Sequence, residues 1–143
     1  MSKKYRVGFV RRTVNKFVTR QIAKGKGKQD MHLLTTLGRK SKQERTTPIT
    51  IARRDGIRYL VAPYGNVGWV HNLRESGLAE LTRGGSVEEI SVTEVDAATA
   101  APVLKQYVTD VSVVRPFFDV DKSAPVTEFE MVAAQHPVFR INV

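Results

Sequence analysis

The chain has 143 residues, of which 41% are hydrophobic and 26% charged, and its formal net charge is +9. A chain of this length and composition is expected to form one globular domain with a core of its own. It contains no cysteine and its three histidines are widely spaced, which excludes disulfides, thiol nucleophiles and cysteine-ligated metal centres and gives no reason to expect a metal site.

The positive charge is concentrated in the first 60 residues. These hold 17 Lys/Arg against 3 Asp/Glu, whereas residues 61–143 hold 6 against 11. Such clustering indicates an anionic partner, which could be nucleic acid, an anionic membrane surface or a phosphorylated small molecule. No apolar run approaches the roughly 20 residues of a membrane-spanning helix, and the N-terminus has no secretory-signal pattern. We therefore expect a cytoplasmic protein.

The first predicted element is an amphipathic helix at residues 9–24. Its apolar residues recur at helical spacing on one face, from Val10 to Ile22, and most of its basic residues fall elsewhere. This pattern divides the chain into a basic helix with its linker (1–28) and a folded domain (29–143).

In the rest of the chain, short runs rich in β-branched and aromatic residues are separated by turn signals, and these runs predict strands. The predicted strands cover residues 32–37, 45–54, 57–62, 78–83, 86–95 and 138–143. Asp55-Gly56 and Gly84-Gly85 are predicted hairpin turns, and Asp96 is a predicted N-cap. Helices are predicted at 69–76, 97–108 and 125–134. Short, mostly hairpin-linked strands with a few helices favour a mainly β (α+β) fold, an antiparallel barrel with peripheral helices.

Two segments of the domain carry a specific family resemblance. Residues 33–48 read LLTTLGRKSKQERTTP, and residues 61–77 read VAPYGNVGWVHNLRESG. Together they resemble the deazaflavin-dependent nitroreductase family of actinobacterial split β-barrel proteins, whose members use the reduced deazaflavin coenzyme F-420 as hydride donor. The resemblance implies an FMN-binding-like split β-barrel of about six to seven antiparallel strands. It also implies a reductase that passes hydride to an activated double bond, a quinone or a nitro group of an apolar substrate.

The basic turn of the first segment predicts an anion site. Arg39, Lys40, Ser41 and Arg45 place three cations and a hydroxyl within a few residues, on a turn that also exposes backbone N–H groups. The resemblance implies that these four residues hold the phosphate and acidic tail of the coenzyme. It implies further cofactor contacts from a strand entry, a strand end and a helix start, namely Thr46, Thr47, Pro48, Val61, Ala62, Pro63, Tyr64, Gly68, Trp69, Val70, His71 and Asn72.

Hydride chemistry belongs to such a cofactor, and the protein orients it. Tyr64 and Tyr107 are the candidate proton donors. Trp69, Phe117 and Phe118 are expected to line a substrate pocket, and the apolar stretch at residues 111–118 favours an apolar substrate.

Other functions remain open at this point. FMN is the rival cofactor, since related split barrels use it, although its shorter tail needs fewer cations. A fatty-acid or lipid-binding protein with weak or no reductase activity could lie at the inner face of the cell membrane, held by the basic segment 1–28. Nucleic-acid binding is disfavoured because no helix-turn-helix, RNP-type or zinc-finger motif is visible. Split barrels often pair, so a homodimer is also open.

Overall fold

The computed structural model describes residues 30–38 and 40–142 of the chain. The predicted helix at residues 9–24 and the predicted anion ligand Arg39 lie outside the described residues, and the division of the chain after residue 28 stays a prediction. Within the described part, no helix has both the length and the apolar character needed to cross a membrane.

Seven strands of the described chain form one sheet in which all paired neighbours are antiparallel. The strands are β1 (Met31–Leu37), β2 (Glu44–Thr50), β3 (Ala52–Arg54), β4 (Ile57–Val61), β5 (Leu78–Arg83), β6 (Ser86–Glu94) and β7 (Val138–Ile141). Their order across the sheet is β2-β1-β5-β6-β7-β4-β3. The two predicted hairpin turns are confirmed: both residues of Asp55-Gly56 and of Gly84-Gly85 have the positive φ that a tight two-residue hairpin requires.

The predicted strand at residues 45–54 is a single extended run in the sequence but two strands in the structure. The chain bends at Ile51, which is 2% exposed and donates its backbone N–H to the Asp30 carbonyl oxygen at 2.8 Å. Before the bend β2 pairs with β1, and after it β3 pairs with β4. Because β2 and β3 are also the two edges of the sheet, this one run of chain joins the edges. The sheet curls accordingly, and the predicted split β-barrel is confirmed.

Helical segments pack on the curled sheet. In the described part of the chain they are α1 (Gly68–Ser76), α2 (Ala97–Asp110), α3 (Val126–Val132) and two 3-10 helices, Ser112–Phe117 and Ala133–Gln135. The predicted N-cap of α2 is confirmed, because the Asp96 carboxylate accepts the Thr99 N–H at 2.9 Å. Helix α1 ends at Gly77, whose left-handed φ of 70° allows its N–H to donate to the Leu73 carbonyl oxygen.

The apolar core has two parts. One lies under α1 and includes Leu34, Leu60, Val70, Leu73, Leu81 and Phe139. The other joins the sheet to α2 and α3 and includes Val61, Val103, Leu104, Tyr107, Val108 and Phe129. Trp69 packs against the first part from its edge, so the start of α1 is held on the barrel by burial of apolar surface.

Candidate functional site

The basic turn and the start of α1 meet at a cavity of about 290 Å³. We call it the basic cavity, and it is lined by Gly38, Lys40, Ser41, Arg45, Gly68, Trp69 and Asn72. The fold thus joins the two segments that carry the sequence resemblance. Two cations and a hydroxyl face one space, which is a donor set suited to phosphate and carboxylate oxygens.

Hydrogen bonds within the turn fix its shape. The Gly38 N–H donates to the Gln43 carbonyl oxygen at 2.7 Å, and the Lys42 N–H donates to the Gly38 carbonyl oxygen at 2.9 Å. The Ser41 hydroxyl oxygen accepts the Gln43 N–H at 3.1 Å, while the Gln43 side chain accepts from the Arg45 guanidinium at 3.3 Å. Lys40 and Arg45 therefore lie in a segment whose backbone is held by its own hydrogen bonds.

The start of α1 supplies further donors to the basic cavity. Val67 precedes the helix and makes no side-chain cap, and the first turn carries no acidic residue. The first N–H groups of a helix, here those of Gly68 and Trp69, have no acceptor within it. Together with the helix dipole, they favour an anion at this end of the cavity.

Two side chains of α1 hold the helix in place beside the turn. The buried Asn72 side chain donates to the Thr36 hydroxyl on β1 at 3.0 Å. Arg74 makes a two-pronged ion pair with Glu94 on β6 at 2.8 and 2.7 Å and donates to the Asn66 side chain at 2.9 Å. The exposed ion pair adds little stability by itself, but it ties the helix and its preceding loop to the sheet.

An apolar cavity of about 230 Å³ borders the basic one at Trp69. It is lined by Met31, Thr47, Pro48, Ile49, Thr50, Val61, Pro63, Tyr64, Trp69, Tyr107, Val111, Val113 and Val114. Trp69 lines both cavities, and its ring packs on Phe139 at 6.1 Å between centroids. The site is cationic at one end and apolar at the other. This arrangement fits an elongated ligand with a planar ring and an anionic tail.

Most of the predicted cofactor residues are brought together in this way. Those lining one of the two cavities are Lys40, Ser41, Arg45, Thr47, Pro48, Val61, Pro63, Tyr64, Gly68, Trp69 and Asn72. Ala62 and Val70 are fully buried in the core, so only their backbone could face a ligand. The Thr46 hydroxyl is hydrogen-bonded to that of Thr35 at 2.9 Å, and His71 lies half-buried on α1.

The two candidate proton donors both line the apolar cavity but differ in burial. Tyr64 is 58% exposed and Tyr107 is 5% exposed. Burial raises the pKa of Tyr107 to about 12, with the nearby Tyr64 adding to the effect. Tyr107 therefore keeps its proton at neutral pH and can donate a hydrogen bond.

The two consecutive phenylalanines predicted for the substrate pocket have opposite environments. Phe117 is 55% exposed and meets the Tyr64 ring edge-on at 4.8 Å, beside the apolar cavity. Phe118 is 7% exposed and stacks on His136 with centroids 3.8 Å apart. The side chain of Phe118 is part of the core, so the structure places it apart from the predicted lining.

Sequence reasoning missed several lining residues, namely Gly38, Met31, Ile49 and Thr50. Gly38 directly precedes the basic turn, and Ile49 and Thr50 directly follow Pro48 on β2. Their nearness in sequence to predicted site residues was the signal that could have identified them. The placement of Ile49 and Thr50 also depends on the bend at the next residue, Ile51, which has no local signature. In the described ranges, no group of three or more His, Asp or Glu side chains is close enough to hold a metal ion.

His136 fixes the loop that carries Pro63 and Tyr64. Its Nδ1 lies 2.9 Å from the Pro63 carbonyl oxygen, to which a protonated Nδ1 donates. Its Nε2 is buried with no hydrogen-bond partner among the described residues. Burial lowers the pKa of His136, opposed by its backbone hydrogen bonds and by the charge of Asp119. The imidazole is therefore neutral in the folded protein.

We expect this histidine to make the fold sensitive to mild acid. The unfolded chain binds a proton near the ordinary histidine pKa of about 6.5, and the folded chain resists it. Above that pH the histidine costs no stability. As the pH drops towards the lower folded pKa, the free energy of unfolding falls by at most about 1.4 kcal/mol per pH unit. Thermal denaturation at pH 7.5 and 5.5 measures the loss. The His136→Asn variant, which retains a donor but cannot titrate, should lose less; an equal loss in both proteins would refute the assignment.

Comparisons with known proteins agree with this geometry. Residues 4–126 match the family model described as F-420H(2)-dependent quinone reductase, whereas no curated protein sequence matches the chain. Among solved structures, an F-420-H2 dependent reductase, FDR-A, superposes with a TM-score of 0.54 at 19% identity, covering 80% of this chain and 95% of that one. A chain described as a domain-swapped dimer gives 0.57 at 18% identity, covering 94% and 97%. A NimC/NimA family protein from Clostridium acetobutylicum gives 0.52 at 14% identity, covering 79% and 73%. At these identities, the structural likeness shows a shared fold.

Proposed function

The chain belongs to the F-420H(2)-dependent quinone reductase family of oxidoreductases, and we propose that it reduces a quinone, or a related activated double bond, on an apolar substrate. The family's cofactor is coenzyme F-420, so the sequence resemblance and the predicted cofactor are confirmed. The observation that supports the proposal is that a cationic cavity and an apolar cavity lie side by side with Trp69 lining both.

The basic cavity is suited to the anionic part of the coenzyme. Lys40 and Arg45 would neutralise phosphate and carboxylate charge, and the Ser41 hydroxyl adds a neutral donor. The uncapped start of α1 contributes backbone N–H groups at the same space. We propose that these groups hold the tail and fix the direction in which the ring extends.

The apolar cavity would then receive the ring and the acceptor. When bound, the reduced coenzyme supplies the hydride. Pro48, Val61 and Trp69 give this space an apolar lining, and a bound ring would displace water from it, which would strengthen the polar contacts made inside it. In this proposal the protonated phenol of Tyr107 donates to a carbonyl oxygen of the acceptor, while the more exposed Tyr64 delivers a proton from solvent.

Trp69 offers a direct test because it is the one tryptophan of the chain and lines both cavities. Titration with the oxidised coenzyme should quench its fluorescence with micromolar affinity or better, and FMN should bind more weakly. Mixing the reduced coenzyme with menadione should then oxidise the coenzyme only when the protein is present. Tight FMN binding without coenzyme binding would contradict the proposal.

Gly68 gives a sharper test of the tail site. A Cβ built on this residue meets no heavy atom within 4 Å, so packing within the described chain does not require a glycine here. We expect Gly68→Ala to retain the thermal stability and yet to weaken coenzyme binding about tenfold, because Gly68 lines the basic cavity and the added methyl would take up space that the ligand needs.

The matched control for this variant is Gly77→Ala at the other end of α1. Gly77 has a φ of 70°, so alanine is strained there and should lower the free energy of unfolding by about 1 kcal/mol. Gly77 does not line the basic cavity, and coenzyme affinity should be retained. Unchanged affinity in Gly68→Ala would argue against a ligand at the helix start.

The lipid-binding alternative shares the apolar cavity. Val113, which is 70% exposed, and Phe117 form an apolar rim near its opening. A carrier would bind apolar ligands without turnover, so the menadione assay separates it from a reductase. Membrane binding through residues 1–28 stays a prediction, which vesicle sedimentation with and without that segment would test. A homodimer is likewise a proposal, suggested by the relative described as a domain-swapped dimer.

A further inference from the structure

The buried side chain of His136 lines neither cavity of the proposed site, yet it contacts two of the segments that form the apolar one. It is 4% exposed. Its Nδ1 lies 2.9 Å from the Pro63 carbonyl oxygen, and its ring stacks on Phe118 with centroids 3.8 Å apart and planes inclined by 16°. Each of these contacts leads to a different wall of the apolar cavity.

The first wall is the loop that follows β4, where Pro63 and Tyr64 line the cavity. The segment just before β7 supports this loop from the other side. The Ala62 N–H donates to the Pro137 carbonyl oxygen at 2.9 Å, and the His136 imidazole donates to the next carbonyl oxygen, that of Pro63. Because proline has no N–H, this carbonyl oxygen is the one hydrogen-bonding group of its backbone. The imidazole therefore holds the loop at the residue where backbone pairing offers least.

The second wall is the 3-10 helix Ser112–Phe117, which contributes Val113 and Val114 to the lining of the cavity. Phe118 directly follows this helix and closes its last turn, since its N–H donates to a carbonyl oxygen of that turn at 3.1 Å. The ring of Phe118 is buried and is the one on which the imidazole stacks. His136 thus supports the second wall through a ring contact.

The hydrogen bonding of the imidazole is one-sided. Nδ1 carries the proton, because the carbonyl oxygen of Pro63 can only accept. Nε2 then bears a lone pair, for which the described part of the chain supplies no hydrogen-bond partner. A buried nitrogen without a partner costs stability, so packing alone does not explain a histidine at this position. The donor that it offers to Pro63 does.

We propose that His136 is a positioning residue for the acceptor, which holds the Pro63–Tyr64 loop at the correct distance from the 3-10 helix across the apolar cavity. The inference rests on the proposed function, since the acceptor of that function occupies this cavity. The imidazole does not touch the ligand and acts through the Pro63 carbonyl group and the Phe118 ring. In a cavity of only about 230 Å³, a small displacement of either wall changes the fit of a compact acceptor.

Two substitutions separate the two contacts of His136. His136→Asn keeps a donor and loses the ring, whereas His136→Phe keeps a ring and loses the donor. With the reduced coenzyme, the KM for menadione should rise about fivefold in His136→Phe, the size expected for one hydrogen bond, and should stay closer to the wild-type value in His136→Asn. The dissociation constant of the coenzyme should be unchanged in both, because His136 does not line the basic cavity. His136→Leu is a second variant without a donor.

Thermal denaturation shows whether each variant is folded, and Phe129→Leu on α3 is the matched control. Phe129 is fully buried and lines neither cavity, so this variant should lose stability and keep the wild-type KM. If His136 were merely structural, the KM would follow stability in all the variants. If it positions the loop, the KM follows the donor.

Hydrogen exchange on the ligand-free proteins tests the same point without a substrate. The Gly65 and Val67 N–H groups are bonded within the loop and should exchange faster in His136→Phe than in His136→Asn. Unchanged exchange at these groups in His136→Phe, or a KM that follows stability with Phe129→Leu included, would overturn the inference. Absence of coenzyme binding in the wild type would defeat the proposed function alone, because exchange and the calorimetric affinity for menadione need no coenzyme and still decide the inference. Coenzyme-dependent turnover with an unchanged KM in His136→Phe would defeat this inference alone.

Discussion

Replacing both Lys40 and Arg45 with alanine is expected to weaken coenzyme binding by roughly thirtyfold or more. Both side chains line the basic cavity, and hydrogen bonds between cations and oxyanions are stronger than neutral ones. Neither residue is buried, so the fold should tolerate the change. Quenching of Trp69 fluorescence measures the affinity at low and high salt. The wild-type affinity should fall as salt rises, and the affinity of the double variant should fall less, because fewer charges remain to be screened.

A control is needed because the double change also lowers the net charge of a basic protein. Lys122→Ala with Arg140→Ala removes the same charge from two exposed residues that do not line the basic cavity. Its coenzyme affinity should stay close to that of the wild type. An equal loss in both double variants would point to general electrostatic attraction, and unaltered binding in the Lys40/Arg45 variant would remove these residues from the tail site.

The local signals in the sequence were sufficient for most of the fold. Asp55-Gly56 and Gly77 mark positions where the backbone needs a positive φ, and Asp96 marks a helix start through its own side chain. These signals act over a few residues, so they can be read without tertiary structure. The bend at Ile51 could not be predicted in this way. Neither neighbour of Ile51 is a glycine or a proline, and the bend follows from the pairing of β2 with β1 and of β3 with β4.

The candidate site could be predicted where its charged and polar residues lie close together in short segments of the sequence. Lys40, Ser41 and Arg45 are predicted to form an anion site because they lie close together in the sequence, and the resemblance connected them to Trp69; all four residues line the basic cavity. Contacts that depend on tertiary packing could not be predicted. Phe117 and Phe118 are adjacent and equally apolar, yet one lies beside Tyr64 and the other on His136.

The walls of the cavities could not be predicted for the same reason. Tyr107 is spaced like any inward residue of an amphipathic helix, and its place in the wall of the apolar cavity depends on strands that lie far from it in sequence. The 3-10 helix at Ser112–Phe117 likewise decides which apolar residues of its stretch face the cavity. Sequence patterns indicate that a residue is buried, but they do not show which empty space it borders.

The largest effect on stability is expected from Phe139→Ala. Phe139 is 1% exposed and lies on β7, which is paired on one side with β4 and on the other with β6. Replacing a buried phenylalanine with alanine removes apolar contacts and leaves a cavity, which costs about 3–5 kcal/mol in the free energy of unfolding. Urea denaturation measures this loss. Phe117→Ala is the matched control, because Phe117 is 55% exposed and should cost much less than its buried counterpart.

Phe139 also supports the site, which links stability to binding. Its ring backs Trp69 with centroids 6.1 Å apart, and Trp69 is the wall shared by the basic and apolar cavities. In folded Phe139→Ala the indole should gain freedom and solvent contact, seen as a red shift of its emission, and coenzyme affinity should fall although no cation has been changed. A variant that lost stability but kept both the emission maximum and the affinity would show that Trp69 is held by α1 alone. Loss of all three would show that the core beneath the helix sets the geometry of the site.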